Sequence, residues 1–200
     1  MVRKNDVGNY HEEVKESILK QIVSNIISFF KVFLICFILV HIMMNYIIRP
    51  IHVVGDSMSP TLKNGQYAIS CAFIAKFLTI QRGDIVIAYD DKMFHEHVIK
   101  RVIAVPNDRI YCEDDQVYIN GEVIDEPYLK GDLVEVIRSL GESFTEDFQE
   151  ITLGEDEYWL MGDNRQVSKD SRDVGAFKKS QIKASGIFRV FPVTNIGIVK

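Results

Sequence analysis

The chain has 200 residues, with 23 Lys and Arg against 28 Asp and Glu, a net charge of −5, 26% charged and 47% hydrophobic residues. That composition excludes the disordered, collagen-like and disulfide-scaffold classes, and the length suits one domain plus an appendage. A mildly acidic chain without a basic stripe is also a poor match for a phosphate backbone, so no nucleic-acid partner is expected.

The average hides a split. Residues 1–48 carry five Lys/Arg and four Asp/Glu, whereas residues 49–200 carry 18 and 24. From Ile22 to Ile48 only Ser24, Asn25, Ser28, Lys31, His41 and Asn45 are strongly polar. At about 1.5 Å per helical residue, Val32–Ile48 alone falls short of a ~30 Å hydrocarbon core, so a spanning helix begins near Ile22–Ile27 and Lys31 snorkels. The run is apolar around its whole circumference, unlike a helix packed on one side of a core. Its exit, Met43–Ile48, lacks the small-residue site of a cleavable leader, so the segment is expected to stay as an anchor. Arg3, Lys4, Lys15 and Lys20 precede it and only Arg49 follows closely, which predicts a cytoplasmic N-terminus. The expected organisation is a cytoplasmic segment 1–21, a transmembrane helix 22–48 and an extracytoplasmic domain 49–200.

The outer part reads as mainly β. Ile51–Val54, Gln66–Ser70, Asp84–Tyr89, Val98–Val105 and Glu157–Met161 are short runs of β-branched and aromatic residues between turn signals. Gln116–Ile119 and Glu122–Ile124 flank Asn120-Gly121, the signature of a type I′ hairpin. The charged stretch Lys130–Gly154 reads as an insertion with room for a short helix, within a smaller subdomain of about residues 107–157. Gly186–Phe191 is the expected closing strand. Cys71 and Cys112 establish no disulfide framework and do not suit a metal site by spacing. His95-x-His97 lacks a third ligand, so neither metal nor cofactor is expected.

Two stretches carry chemistry. In Val53-Val54-Gly55-Asp56-Ser57-Met58-Ser59-Pro60-Thr61-Leu62 a strand ends in a Gly-Asp turn, where Ser57 either caps the turn or presents a free hydroxyl. In Val98–Val105, alternation separates Lys100 from Arg101 on two otherwise apolar faces. Arginine stays charged, whereas burial lowers a lysine's pKa. Lys100 is therefore either a snorkelling strand lysine or a base activated by desolvation.

Taken in order, the anchor, Gly55-Asp56-Ser57-Met58-x-Pro60-Thr61-Leu62, Arg82-Gly83-Asp84, Lys100-Arg101, and Gly162-Asp163-Asn164-Arg165-x-x-Ser168-x-Asp170-Ser171-Arg172 resemble the bacterial type I signal peptidases. The resemblance runs from the anchor to the final strand. It implies a β-rich catalytic domain with a small inserted subdomain, without metal or cofactor, that cuts signal peptides from exported preproteins after a small-x-small motif. By the same resemblance Ser57 is the nucleophile and Lys100 the general base. Ser168 orients the lysine, Asp170 and Arg172 form a structural ion pair, and Asp163 and Asn164 belong to the supporting loop. Ile51, Val53, Gly55, Met58, Leu62 and Ile99 are the candidate pocket residues.

One departure concerns Gly55. Some members of that family carry a serine there whose hydroxyl helps hold the oxyanion, whereas glycine is usual in Gram-positive-type members and lets other backbone approach closely. Lysine at position 100 argues against the endoplasmic-reticulum branch. Because the anchor ends close to Ser57, the active site is expected near the membrane surface, with Phe73, Ile74, Phe77 and Leu78 either touching lipid or packed in the core. The alternative reading is an accessory factor for pilus or surface-fibre assembly with restricted or no proteolysis. Retention of both Ser57 and Lys100 weighs against it.

Overall fold

The computed structural model describes residues 4–44, 48–77, 79–93 and 95–199. The chain divides into two compact units, Met1–Asn45 and Tyr46–Lys200. The first holds helix α1, Lys4–Ile42. Within it Ile18–Ile42, 25 residues, is long and apolar enough to cross a membrane, and none of it is buried against the chain. At 1.5 Å per residue it is about 38 Å long, ample for a hydrocarbon core. Phe29, Phe33, Phe37 and His41 recur every fourth residue and stack ring on ring at 6.3–6.4 Å along one face.

The apolar run was expected to continue as helix to Ile48, but the helix ends six residues earlier. Ile48 is instead the first residue of strand β1, Ile48–His52, paired with Cys71. Residues 45–47 of the expected span lie outside the described residues.

The second unit is sheet-rich, as expected. Its strands are β2 (Tyr67–Cys71), β3 (Ile85–Asp90), β4 (Glu96–Ala104), β5 (Arg109–Glu113), β6 (Gln116–Ile119), β7 (Glu122–Val123), β8 (Phe148–Thr152), β9 (Glu157–Met161), β10 (Phe177–Lys178), β11 (Ile182–Phe191) and β12 (Gly197–Ile198). The larger sheet has the order β1-β2-β11-β3-β4-β9-β10, with β12 on β11; the smaller has the order β7-β6-β5-β8, and every pairing is antiparallel. The unit also carries the short α-helices α2 (Ala72–Phe77), α3 (Asp132–Ser139) and α4 (Ser171–Val174), and 3-10 turns at Lys179–Gln181 and Val193–Asn195.

Strand β3 shows why its sequence is continuously apolar rather than alternating. Ile85 and Ile87 enter one core cluster with Met58 and Leu62, while Val86 and Ala88 enter another with Val102 and Leu160. Both faces are covered, so both must be hydrophobic. β4 is likewise covered on both faces, which buries Lys100 and Arg101 together. The expected hairpin is present, with Asn120 at φ 55° and Gly121 at φ 89°, both positive as a type I′ turn requires.

Strands β5 and β8 were not expected from the sequence, and β11 begins four residues before the predicted Gly186. Its register shifts between Ser185 and Phe188, and that bulge masks the alternation of its first half. The three cysteines Cys36, Cys71 and Cys112 are free. Phe73 and Phe77 are exposed with ring centroids 4.6 Å apart, so this pair does not pack into the core. Leu78 and the Ile74 side chain lie outside the described residues.

Leu62 is fully buried at the centre of the cluster that anchors the Ser57 turn. Leu62→Ala is expected to destabilise the second unit by about 3 kcal/mol through lost transfer energy plus the cavity left behind. Urea or thermal unfolding checks this; a loss below about 1 kcal/mol would mean that the turn repacks.

Candidate active site

After β1 the chain turns back towards β2. Val53 donates to the Gln66 carbonyl and accepts from Gly65, both at 2.9 Å, while Met58 and Leu62 drive the turn into the core. Gly55 sits at φ +86°, and a Cβ placed there would meet nothing within 4 Å. What requires glycine is therefore the backbone conformation and not, as the sequence suggested, close approach of another segment. Ser57, half-buried, follows two residues later.

The loop 162–170 closes over this turn. Asn164 N–H donates to the Ser57 carbonyl at 3.0 Å, and the Asn164 carbonyl accepts from Ser168 N–H at 3.0 Å. Gly162 fills the gap between them. A Cβ on Gly162 would lie 2.2 Å from Ser168 Oγ and 2.4 Å from the Ser57 carbonyl oxygen.

Lys100, 3% exposed, reaches across from β4 and donates from Nζ to Ser168 Oγ at 3.0 Å. Burial pushes its pKa below the ordinary 10.5; Asp170, Asp173 and Asp90 oppose the shift and Arg172 adds to it. Asp170 is 1% exposed and accepts from several donors. It takes Arg172 Nε and Nη2 at 3.0 Å each, Gly162 N–H at 3.0 Å, and Arg172 N–H at 3.2 Å as the cap of α4. Burial alone would raise the Asp170 pKa, but Arg172 and the Gly162 N–H outweigh it and hold the carboxyl below its usual range. Arg172 also ties back to the Arg165 carbonyl at 2.8 Å.

Asp163 acts at a different place from Asp170. It accepts two bonds, at 2.8 and 2.7 Å, from Arg101, the residue beside Lys100. Arg101 also donates to the Gly83 carbonyl at 2.8 Å and lies 3.9 Å over the Tyr128 ring. Among the described residues Asn164 Oδ1 is buried without a partner, so the contribution of Asn164 here is through its backbone.

Ser57 and Lys100 line one open cleft of about 1060 Å³, walled by Arg49–Ser59 on one side and Glu96–Lys100 on the other, with Asn164, Val167 and Lys169 at one end. Ile51, Val53, Gly55, Met58 and Ile99 line it together with Ile87. Leu62 does not; it supports the floor from inside the core. His97 lines the cleft edge-on to Tyr89, ring centroids 5.3 Å apart, and among the described residues no group of three or more His, Cys, Asp or Glu is placed to hold a metal ion.

Three residues at the site had no role assigned from the sequence: Gly162, Arg101 and Arg165. Arg165 is buried, donating to the Gly162 carbonyl at 3.1 Å and Thr145 Oγ1 at 2.8 Å, and paired with Glu126. For Arg101 the available signal was a charged residue inside the apolar run Val98–Val105; Arg165 lies in the polar stretch 162–172, where no local pattern marks it as buried.

Comparison with known proteins identifies the family. The profile of the family described as "Signal peptidase, peptidase S26" matches residues 26–191. Signal peptidase I S of Bacillus subtilis (strain 168) is 35% identical over 169 residues, covering 84% of this chain and 90% of the relative. Signal peptidase I of Streptococcus pneumoniae serotype 4 is 36% identical over 176 residues, covering 74% and 84%. A crystal structure of a signal peptidase I from Enterococcus faecalis V583 is 32% identical, with a TM-score of 0.48, and covers 54% of this chain and 96% of that one. The chain belongs to the signal peptidase family, peptidase S26.

Proposed function

We propose that this chain is a membrane-anchored serine endopeptidase that removes signal peptides from exported preproteins after a small-x-small motif, with Ser57 as nucleophile and Lys100 as general base. The observation that carries the reading is the buried Lys100 amine, held by Ser168 at 3.0 Å in the cleft that Ser57 lines. A serine hydroxyl is a weak nucleophile unless an adjacent base takes its proton, and desolvation makes the neutral amine available for that. Ser57 Oγ attacks the scissile carbonyl and its proton passes to Lys100 Nζ. The Ser57 N–H is the donor available to the oxyanion. Lys100 then returns the proton to the leaving amine, and repeats the transfer with water to free the acyl-serine.

The cleft suits an extended substrate. Four successive antiparallel pairings, β1–β2, β2–β11, β11–β3 and β3–β4, make β1 and β4 run in the same direction, so a peptide between them can use both backbones. Ile51, Val53, Met58 and Ile99 leave shallow apolar room for small side chains. The charge asymmetry around α1 supports a cytoplasmic N-terminus and an extracytoplasmic cleft.

The test is cleavage of an Ala-x-Ala precursor by the detergent-solubilised chain. The wild type is expected to cut with or without a chelator, with a rate that falls at acid pH as Lys100 protonates, and Ser57→Ala and Lys100→Ala are expected to be silent. A folded wild type that cuts no precursor, pilins included, would sink the reading in favour of an assembly factor.

A further inference from the structure

The smaller sheet does not touch the cleft, yet the segment that leaves it holds the loop beneath the reacting groups. Tyr128 OH donates to Glu126 Oε1 at 2.6 Å, and the same carboxylate is paired with the Arg165 guanidinium, whose side chain is fully buried. The Tyr128 ring lies 3.9 Å beneath Arg101. Each arginine grips a different part of the 162–168 loop: Arg101 holds Asp163 through two bonds, and Arg165 holds the Gly162 carbonyl at 3.1 Å. Thr145 and the carbonyls of Ser143 and Phe144 add further ties, to Arg165 and Gln166.

We propose that Glu126 and Tyr128 are positioning residues for Lys100 and Ser168, acting through the two arginines that clamp the Gly162–Ser168 loop. The inference rests on the Ser57–Lys100 reading above. The path is short and packed. Gly162 has no spare space against Ser168 Oγ or the Ser57 carbonyl, so any shift at its carbonyl is passed directly to the serine that holds the lysine. The charges that act on Lys100 are Asp170, Arg172 and Asp173 from the α4 stretch and Asp90 from β3. None of these belongs to the smaller sheet, so an effect of Glu126 on the lysine has to travel through the loop.

Glu126→Gln keeps the shape, but leaves the buried Arg165 cation without its anion and sets an amide donor against guanidinium donors. A loosened loop admits water around Lys100, which weakens the desolvation that lowers its pKa. Two measurements on the full-length chain in detergent test this. In precursor cleavage, Glu126→Gln is expected to lower kcat about tenfold with KM little changed, and to move the acid limb of the rate profile about half a unit to higher pH. In the second, the pH midpoint of Lys100 acetylation by acetic anhydride, read by peptide mass spectrometry, is expected to rise in parallel.

Tyr128→Leu, which removes the ring under Arg101, moves both readouts the same way and serves if Glu126→Gln does not fold. Val117→Ala, in the core of the smaller sheet, controls for lost stability and leaves both midpoints where they were. Midpoints in the Glu126 and Tyr128 variants equal to wild type, or shifted no more than in Val117→Ala, would overturn the inference. The acetylation readout needs no catalysis. A wild type that cuts nothing therefore refutes the peptidase reading, while the Lys100 midpoint still decides the positioning role.

Discussion

Lys100→Arg is expected to silence precursor cleavage as fully as Lys100→Ala, a loss on the order of 10³-fold, within the range that a positioned general base contributes. Arginine preserves the charge, so a purely electrostatic role for Lys100 would tolerate the change. A proton-transfer role would not, because guanidinium does not release its proton near neutrality. Geometry adds a separate steric cost, which is why Lys100→Met is read beside it. The amine is 3% exposed and already bonded to Ser168 Oγ at 3.0 Å, so a larger planar cation has neither space nor water around it.

Lys100→Met separates function from folding. With its pKa lowered, the folded Lys100 binds fewer protons than the unfolded chain between its folded value and 10.5. Stability therefore rises with pH across that window, and the cost of burying the ammonium is present in full below it. Methionine removes that cost, so the variant is expected to be inactive with an unfolding temperature no lower than wild type. Precursor cleavage and calorimetry together check the prediction. Activity above about 10% of wild type in Lys100→Arg would refute the base assignment.

Gly162→Ala is the second large effect. One methyl group would stand 2.2 Å from Ser168 Oγ, 2.4 Å from the Ser57 carbonyl oxygen and 2.5 Å from Ser168 Cβ. Gly162 cannot retreat, because Asp170 holds its N–H at 3.0 Å and Arg165 its carbonyl at 3.1 Å. The proposed nucleophile and the lysine's serine partner must separate instead. A displacement of about 1 Å in a reacting group can cost about 100-fold, so a fall in kcat of that size is expected, with KM less affected. Gly55→Ala makes the contrast: its Cβ meets nothing, and only the φ of +86° penalises it, by about 1 kcal/mol. Steady-state kinetics on the two variants tests the distinction, and equal losses would mean that the collision at Gly162 is relieved elsewhere.

How much of this was legible follows from what sequence patterns encode. The strands around the cleft carry β-branched runs between turn signals, and those runs locate β2, β3, β4 and β9 to within a residue or two. Strand β5, Arg-Ile-Tyr-Cys-Glu, is short and ends in charges, and β8 lies inside an acidic stretch; both are stabilised by pairing with each other across 35 or more residues. No local pattern announces such a pairing. The helix end was misplaced for a related reason. Met43–Ile48 is as apolar as the helix before it, and only the partnership of Ile48 with Cys71 assigns it to a sheet.

At the site, Ser57, Lys100, Ser168, Asp170 and Arg172 were nominated by the resemblance that the ordered motifs carry, and not by any one local pattern. Alternation could separate Lys100 from Arg101 but could not say that β4 is covered on both faces. For that reason the partner of Arg101 was invisible, and Asp163, placed only in a supporting loop, had no bond assigned to it. Gly162 was legible only as one residue of the ordered motif, because the lack of room for a methyl group is a property of packing and not of composition.

Strand β1 forms one edge of the larger sheet, and an open edge is a hazard as well as a tool. Unpaired backbone groups that could grip a passing extended chain would grip a second copy equally well. β1 limits that risk by its make-up: five residues long, with Pro50 unable to donate to a ladder and exposed Arg49 and His52 on either side of it. Such an edge is too short and too interrupted to seed a growing fibre, while still leaving a few backbone groups open to the extended substrate proposed above.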